Sequence, residues 1–317
     1  MGLRNGFVVT QVLLAVSSVP VHEFARSPAR VHIVAPNPQA EGWASLFAPE
    51  TRTQLKKALD GVGVFKVMIN CVTNRFGYCA ETDWGQVAGT LRHLNVSLGI
   101  EAGMFQGLHN KELPNSCNGT ADALDDLAKI ENLLRAGGTP ALWTMDSVFQ
   151  HTFPYPLNWP GWKHQHATDC CNFTIEDAAA QGAAYARMIR KRLPGVAIGL
   201  NEPVPWYTVT AENGTVYPAM TGHPIDYDTG RDLPSVILAL NTALMQIGEA
   251  PLEYFHADQP LEYSIGELND GGNAYPKLGA LQNVVHTPTY PPMHPLTHTS
   301  IHPLTHPSIR PLIHPPP

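Results

Sequence analysis

The apolar positions of this chain fall into two kinds of stretch that alternate along it. Short runs that are apolar on both faces predict buried strands, and longer stretches with apolar residues three and four apart predict amphipathic helices. The predicted strands lie at residues 31–37, 64–70, 96–102, 141–146, 196–202 and 252–258. The predicted helices lie at residues 51–59, 82–94, 120–134, 174–192 and 233–247, and Thr82, Thr120 and Thr174 are their expected N-caps where one is recognisable.

This alternation of strand and helix predicts an α/β fold in which helices cover a parallel sheet. Long loops after the strands, and no G-x-G-x-x-G segment after any of them, favour a TIM-like (β/α) barrel over a dinucleotide-binding fold. About six βα units are recognisable between residues 30 and 285. Because a complete barrel has eight such units, we expect this barrel to be incomplete at its C-terminus.

The C-terminal segment, residues 286–317, has a different composition from the rest of the chain. It contains the related octapeptides HPLTHTSI, HPLTHPSI and RPLIHPPP, and six of the fifteen histidines fall from His286 onward. Such a Pro-rich repeat predicts an extended, disordered, low-complexity tail. A metal-binding tail is the alternative.

The N-terminal segment, residues 1–20, has the features of a secretory signal peptide. Arg4 precedes an apolar core from Phe7 to Val16, and small residues follow. The alternative is a buried first strand or helix. Sequons for N-glycosylation agree with a secreted or extracellular glycoprotein, and they begin at Asn95, Asn118, Asn172 and Asn213.

Five cysteines occur, with no C-x-x-C spacing that would indicate a zinc ribbon or a thioredoxin motif. In an oxidising compartment, Cys71 and Cys79 are a plausible disulfide, and Cys117 could reach Cys170 or Cys171. A cytosolic protein with all five cysteines reduced is the alternative.

The charge and apolar character of the chain limit its partners. The net charge of −7 gives no basic face, which argues against a nucleic-acid partner. The apolar core of the leader is too short for a stable membrane span.

Acidic residues end four of the predicted strands, and they are Glu101, Asp146, Glu202 and Asp258. Because the carboxyl ends of barrel strands converge on one mouth, we expect these side chains to be neighbours there, together with His256. Two carboxylates in such a mouth are what glycosidic cleavage requires, one as acid and the other as nucleophile or base.

The stretch from Val196 to Trp206 reads V-A-I-G-L-N-E-P-V-P-W. Its Asn201-Glu202-Pro203 tripeptide resembles the acid/base motif of the large clan of (β/α)8 glycoside hydrolases, and the strand series resembles secreted barrel proteins grouped with them. The resemblance implies that Glu202 is the proton donor and that Asn201 holds a sugar hydroxyl. Asp146, Glu101 or Asp258 would then supply the second carboxylate.

Aromatic residues in the loops after the strands offer rings on which a sugar could stack. Tyr155, Trp159 and Trp206 are the candidates, and the alternative is that they pack within their own loops. With Asn201, His256 and Asp258 they complete the expected substrate-binding set for a carbohydrate or other small molecule.

Two further functions use the same residues. One is a divalent-metal barrel of the xylose-isomerase-like sort, with Mg²⁺ or Mn²⁺, since His256 and Asp258 would share one face of a strand. The other is a degenerate barrel that binds carbohydrate without catalysis. The glycosidase hypothesis itself needs neither a metal nor another cofactor.

Overall fold

A computed structural model describes residues 10–11, 13–15, 31–34, 46–73, 82–103, 117–146, 148–149, 173–204, 207–219, 231–257 and 281. All of these lie in one compact unit, Met1–His286. The Pro- and His-rich segment predicted to be disordered, 286–317, lies outside the described residues.

The described strands are β1 (Thr10–Gln11), β2 (Leu13–Ala15), β3 (Val31–Val34), β4 (Val62–Met68), β5 (Ser97–Gly103), β6 (Leu142–Asp146), β7 (Ala197–Glu202), β8 (Val209–Thr210), β9 (Val216–Tyr217) and β10 (Tyr254–Ala257). The described α-helices are α1 (Arg52–Ala58), α2 (Ile69–Val72), α3 (Trp84–His93), α4 (Gly119–Lys129), α5 (Glu131–Arg135), α6 (Ile175–Arg192) and α7 (Leu233–Gln246), and a 3-10 turn, Pro49–Thr51, precedes α1.

Six of these strands form one parallel sheet in the order β3-β4-β5-β6-β7-β10. They are the six strands expected from the apolar runs, with boundaries that differ by a few residues. At least one described helix lies between each of these strands and the next one along the chain, as βαβ units require. The α/β class and the parallel sheet are thus confirmed, and the described residues contain six parallel strands where a complete barrel has eight.

The segment that contains β1 and β2 pairs with both edges of the parallel sheet, which shows that the sheet is curled. β1 pairs with β3 in antiparallel register, and β2 pairs in the same way with β10 at the other edge. One residue separates β1 from β2, so the two edges must come close together. These two strands belong to the segment assigned to a signal peptide; removal of that segment stays a prediction.

The curl gives the sheet an inner face and an outer face, occupied by alternate residues of each strand. Apart from Glu202, the outer face is apolar and packs against helices, with Trp143 donating its indole N–H to the Tyr185 hydroxyl of α6 at 3.1 Å. The inner face is polar at the carboxyl ends of the strands. Its residues are Val64, Lys66, Gly99, Glu101, Thr144, Asp146, Gly199, Asn201, Tyr254 and His256.

The structure confirms one of the three expected N-caps and corrects the other two. Thr174 caps α6 and forms a reciprocal capping box with Asp177, as expected. The N-cap of α3 is Asp83, not Thr82, and that of α4 is Asn118, not Thr120. In both corrected helices the carboxylate or amide oxygen accepts a backbone N–H three residues on, and Asp and Asn serve as well as Thr there.

Among the helices in the described part of the chain, none has the length and apolar character needed to cross a bilayer.

Candidate functional site

Three ionisable side chains meet on the inner face of the sheet, and Lys66 of β4 is at their centre. Its Nζ forms an ion pair with the Glu101 carboxylate of β5 and lies 3.1 Å from Nδ1 of His256. Lys66 and His256 are 190 residues apart in the chain and lie on strands separated by three others. Only the curl of the sheet brings them together. We call Lys66, Glu101 and His256 the inner cluster.

The contact with Lys66 determines which nitrogen of His256 is an acceptor. An ammonium group has hydrogen atoms to donate and no lone pair to accept with. With a Lys66 ammonium as the donor, Nδ1 is the acceptor of this contact. His256 is completely buried, as is the Phe255 that precedes it.

Tyr254 lies beside the inner cluster and packs against His256 and Gly199. Its ring is 4.9 Å from that of His256, and its hydroxyl shares a 2.9 Å hydrogen bond with Thr144. Gly199 has no side chain on the inner face, and a Cβ there would come within 2.0 Å of the tyrosine ring. Burial raises the pKa of Tyr254, so the phenol is neutral at physiological pH.

Asp146 and Asn201 form a second pair at the carboxyl ends of β6 and β7. The Asn201 amide donates to Asp146 Oδ1 at 2.9 Å, and the two residues are register partners. Asn201 is buried, and its Oδ1 has no hydrogen-bond partner among the described residues. A buried acceptor in this state has an unmet capacity for one donor, such as a hydroxyl group.

Glu101 links this pair to the inner cluster electrostatically. Burial raises the pKa of the Glu101 carboxyl, the positive charge of Lys66 opposes that effect, and the negative charge of Asp146 adds to it. Glu101 pairs with Thr144 in the register of β5 and β6, so Asp146 lies two residues further along the same face. The two carboxyl groups are thus neighbours, and Glu101 is the more deeply buried of the two.

Glu202 lies on the outer face, apart from these residues. It follows Asn201 on β7, and consecutive residues of a strand point to opposite faces. Its carboxylate accepts the Phe149 backbone N–H at 2.9 Å and the Tyr207 hydroxyl at 2.7 Å. Val148, beside Phe149, lies against Gly182 of α6. The structure does not bring Glu202 together with Glu101 and Asp146 on one face of the sheet, and its catalytic role stays a prediction.

The remaining candidates divide according to whether the structure describes them. Glu101, Asp146, Asn201 and His256 come together on the inner face. Tyr155, Trp159, Trp206 and Asp258 lie outside the described residues, so their substrate-binding roles stay predictions. The same holds for the disulfides, because Cys79, Cys170 and Cys171 are also outside.

The metal hypothesis finds no ligand set in the described part of the chain. No group of three or more His, Cys, Asp or Glu side chains there is arranged to hold a metal ion. Asp258, half of the expected His-Asp pair, is not among the residues searched.

Sequence reasoning missed Lys66, which is the centre of the inner cluster. The signal was present: a lysine stands in the middle of the apolar run V-G-V-F-K-V-M of β4. A strand that is apolar on both sides of one charged residue must bury that charge, and buried lysines are almost always paired.

A separate cavity of about 260 Å³ lies at the opposite ends of the strands. Ser97 at the start of β5, Ala141 before β6 and Arg92 of α3 are part of its lining. It contains none of the residues described above.

No family model matches the chain, and no curated protein matches it. It is similar to a crystal structure of a putative phosphonomutase from Burkholderia cenocepacia J2315, with 14% identity, a TM-score of 0.29 and coverage of 63% of each chain. The chain therefore spans less than two thirds of that structure, and so distant a likeness says nothing about what this chain binds or catalyses.

Proposed function

We propose that the inner face of the sheet is an acid–base site of a barrel-type hydrolase that acts on a carbohydrate, with Glu101 and Asp146 as its two carboxyl groups. The observation that supports this is the placement of these groups on one face of adjacent strands, at the carboxyl ends. That end of a parallel barrel is where catalytic residues are found.

The two carboxyl groups have different surroundings, which is the pattern expected of an acid and its partner. Burial raises the pKa of Glu101, which favours a proton on it and suits it to protonate a leaving oxygen. Asp146 is partly exposed and is oriented by the Asn201 amide. In this proposal Asp146 acts as nucleophile or as base toward water.

Asn201 contributes a binding function. Its buried Oδ1 would accept a hydroxyl of the bound sugar, while its amide holds Asp146 in place. This keeps the hydroxyl-binding role that the N-E-P resemblance implied for Asn201, and it transfers the acid role from Glu202 to Glu101.

The test is hydrolysis of a panel of nitrophenyl glycosides and oligosaccharides by the wild type and by Glu101→Gln, Asp146→Asn and Glu176→Gln. Glu176 is an exposed residue in the first turn of α6 and provides the matched carboxyl-to-amide control. We expect Glu101→Gln and Asp146→Asn to lose about 10²-fold or more in kcat, and the control to keep its rate.

The pH dependence gives a second readout. If Glu101 must be protonated, kcat falls as the pH rises through its elevated pKa, and Glu101→Gln lacks that alkaline limb. Unchanged turnover in both variants would refute the assignment of the two carboxyl groups. Sugar binding by the wild type without hydrolysis of any substrate would favour the non-catalytic barrel, and loss of turnover with a chelator would favour the metal barrel.

A further inference from the structure

Lys66 has around its amine the groups that a carbonyl condensation requires. Nζ is in contact with a carboxyl group on one side and with an imidazole acceptor on the other. All three residues are buried, with exposed fractions of 1% for Lys66, 8% for Glu101 and 0% for His256.

Burial also removes water from the charged groups of this cluster. A buried ion pair loses the hydration of both charges. The raised pKa of Glu101 agrees with this, since desolvation outweighs the opposing charge of Lys66. The neutral form of the pair is an amine next to a carboxylic acid, and a neutral amine is the nucleophilic form of lysine.

We propose that Lys66 is a nucleophile that binds the aldehyde or keto group of a small hydroxylated molecule as an iminium ion. The nearby Asn201 Oδ1, which has no partner among the described residues, and the partly exposed Asp146 would hold hydroxyl groups of the same molecule. This activity does not depend on glycosidic cleavage.

The steps balance with the groups present. The Lys66 ammonium passes a proton to Glu101, and the neutral amine forms a bond to the carbonyl carbon. His256 Nδ1 takes the proton that the nitrogen loses and returns it to the former carbonyl oxygen, which gives a carbinolamine. Glu101 then protonates that hydroxyl, the C–O bond breaks, and water leaves as the nitrogen lone pair forms the C=N bond. The sum is one ammonium and one carbonyl giving one iminium and one water.

The test uses the wild-type protein with D-glyceraldehyde and sodium cyanoborohydride, which reduces an iminium to a stable secondary amine. Peptide mapping by mass spectrometry then measures labelling at each lysine. Lys56 and Lys57 of α1 are exposed and serve as internal controls. We expect the initial labelling rate of Lys66 to exceed theirs at least 10-fold in the folded protein, and to fall to their level in urea.

A conservative variant tests the chemistry without removing the charge. Lys66→Arg keeps a cation beside Glu101 and cannot form an iminium under these conditions, so the peptide that contains residue 66 should carry no label while Lys56 and Lys57 label as before. Labelling of Lys66 only after unfolding, or no faster than at Lys56 and Lys57, would overturn the proposal. Labelling without glycoside turnover would leave this proposal standing and count against the hydrolase, and turnover without labelling would do the reverse.

Discussion

Asn201 and Glu202 are consecutive residues of β7 whose side chains lie on opposite faces of the sheet. Asn201 donates to Asp146 on the inner face, and Glu202 accepts from Phe149 and Tyr207 on the outer face. The Asn201-Glu202-Pro203 tripeptide resembles a catalytic motif, but its amide and its carboxylate side chains lie in two different environments. The amide faces the candidate site, and the carboxylate fastens the loops after β6 and β7.

Glu202→Gln should therefore reduce stability and leave the chemistry intact. A glutamine oxygen can accept one of the two hydrogen bonds, but its NH₂ group can only donate, so either the Phe149 N–H or the Tyr207 hydroxyl loses its acceptor. We expect the free energy of unfolding to fall by about 2 kcal/mol in urea titrations. The activity per folded molecule, measured well below the denaturation midpoint, should stay within about two-fold of wild type.

Glu176→Gln is the control for this substitution, because the same change at an exposed helix start should alter the free energy of unfolding by less than about 0.5 kcal/mol. A Glu202→Gln protein that is fully stable but has lost activity by two orders of magnitude would return the catalytic role to Glu202.

Much of the fold follows from the apolar pattern, and the orientation of Glu202 does not. Most residues of these strands are apolar or small on both faces, so the pattern locates the strands well. In β7 this leaves little alternation to tell which face Asn201 or Glu202 occupies, and a shift by one residue exchanges the faces. The sequence could place Asn201 and Glu202 at a strand end but could not assign either to the inner face.

The contacts within the inner cluster could not be predicted from the sequence, because they join distant parts of the chain. The contact between Lys66 and His256 joins residues 190 positions apart on strands that are not neighbours. It depends on how far the sheet curls, which is set by the packing of the whole domain. Local patterns could show that Lys66 is buried and must have a partner, but they could not name that partner.

The pair of Lys66 and Glu101 should behave as one unit in unfolding experiments. Lys66→Met leaves the Glu101 carboxyl buried without its cation, and Glu101→Gln leaves the ammonium without its anion. Each single substitution should cost about 3–5 kcal/mol. The double variant should cost less than the sum by more than about 1 kcal/mol, because it leaves no uncompensated charge.

The exposed pair of Arg192 and Glu131, at 3.3 Å between Nη2 and Oε2, provides the matched comparison. A cycle of Arg192→Met and Glu131→Gln should give a coupling of less than about 1 kcal/mol. Equal couplings in the two cycles would contradict the view that burial makes the Lys66–Glu101 pair distinctive.

The raised pKa of Glu101 predicts a pH-dependent difference in stability between the wild type and Glu101→Gln. A carboxyl whose pKa is higher in the folded state than in the unfolded chain adds stability that is fully present below its ordinary value of 4.5. That contribution is lost as the pH rises through the folded-state pKa. The free energy of unfolding of the wild type, minus that of Glu101→Gln, should therefore fall as the pH rises from 4.5.

Urea titrations at a series of pH values measure this difference, and the other titrating groups largely cancel because both proteins carry them. A difference that grows with pH would mean that the charge of Lys66 outweighs the desolvation of Glu101. The protonated acid required by both proposals would then be absent.

Gly199→Ala tests the packing of the Tyr254 ring over Gly199, because the inner face has no room for a methyl group at that position. A Cβ there would lie 2.0–2.4 Å from three atoms of the Tyr254 ring, whose hydroxyl is held by Thr144. The ring must move, and we expect a loss of about 1–3 kcal/mol in the free energy of unfolding. Displacement of Tyr254 would also disturb His256, so reductive labelling of Lys66 should slow.

Gly89→Ala is the matched control for Gly199→Ala. Gly89 is exposed in the middle of α3 with nothing within 4 Å of a Cβ, and alanine there should stabilise the helix by up to about 1 kcal/mol. If both variants were equally stable, Tyr254 would not occupy the space above Gly199, and the packing described for this part of the inner face would be wrong.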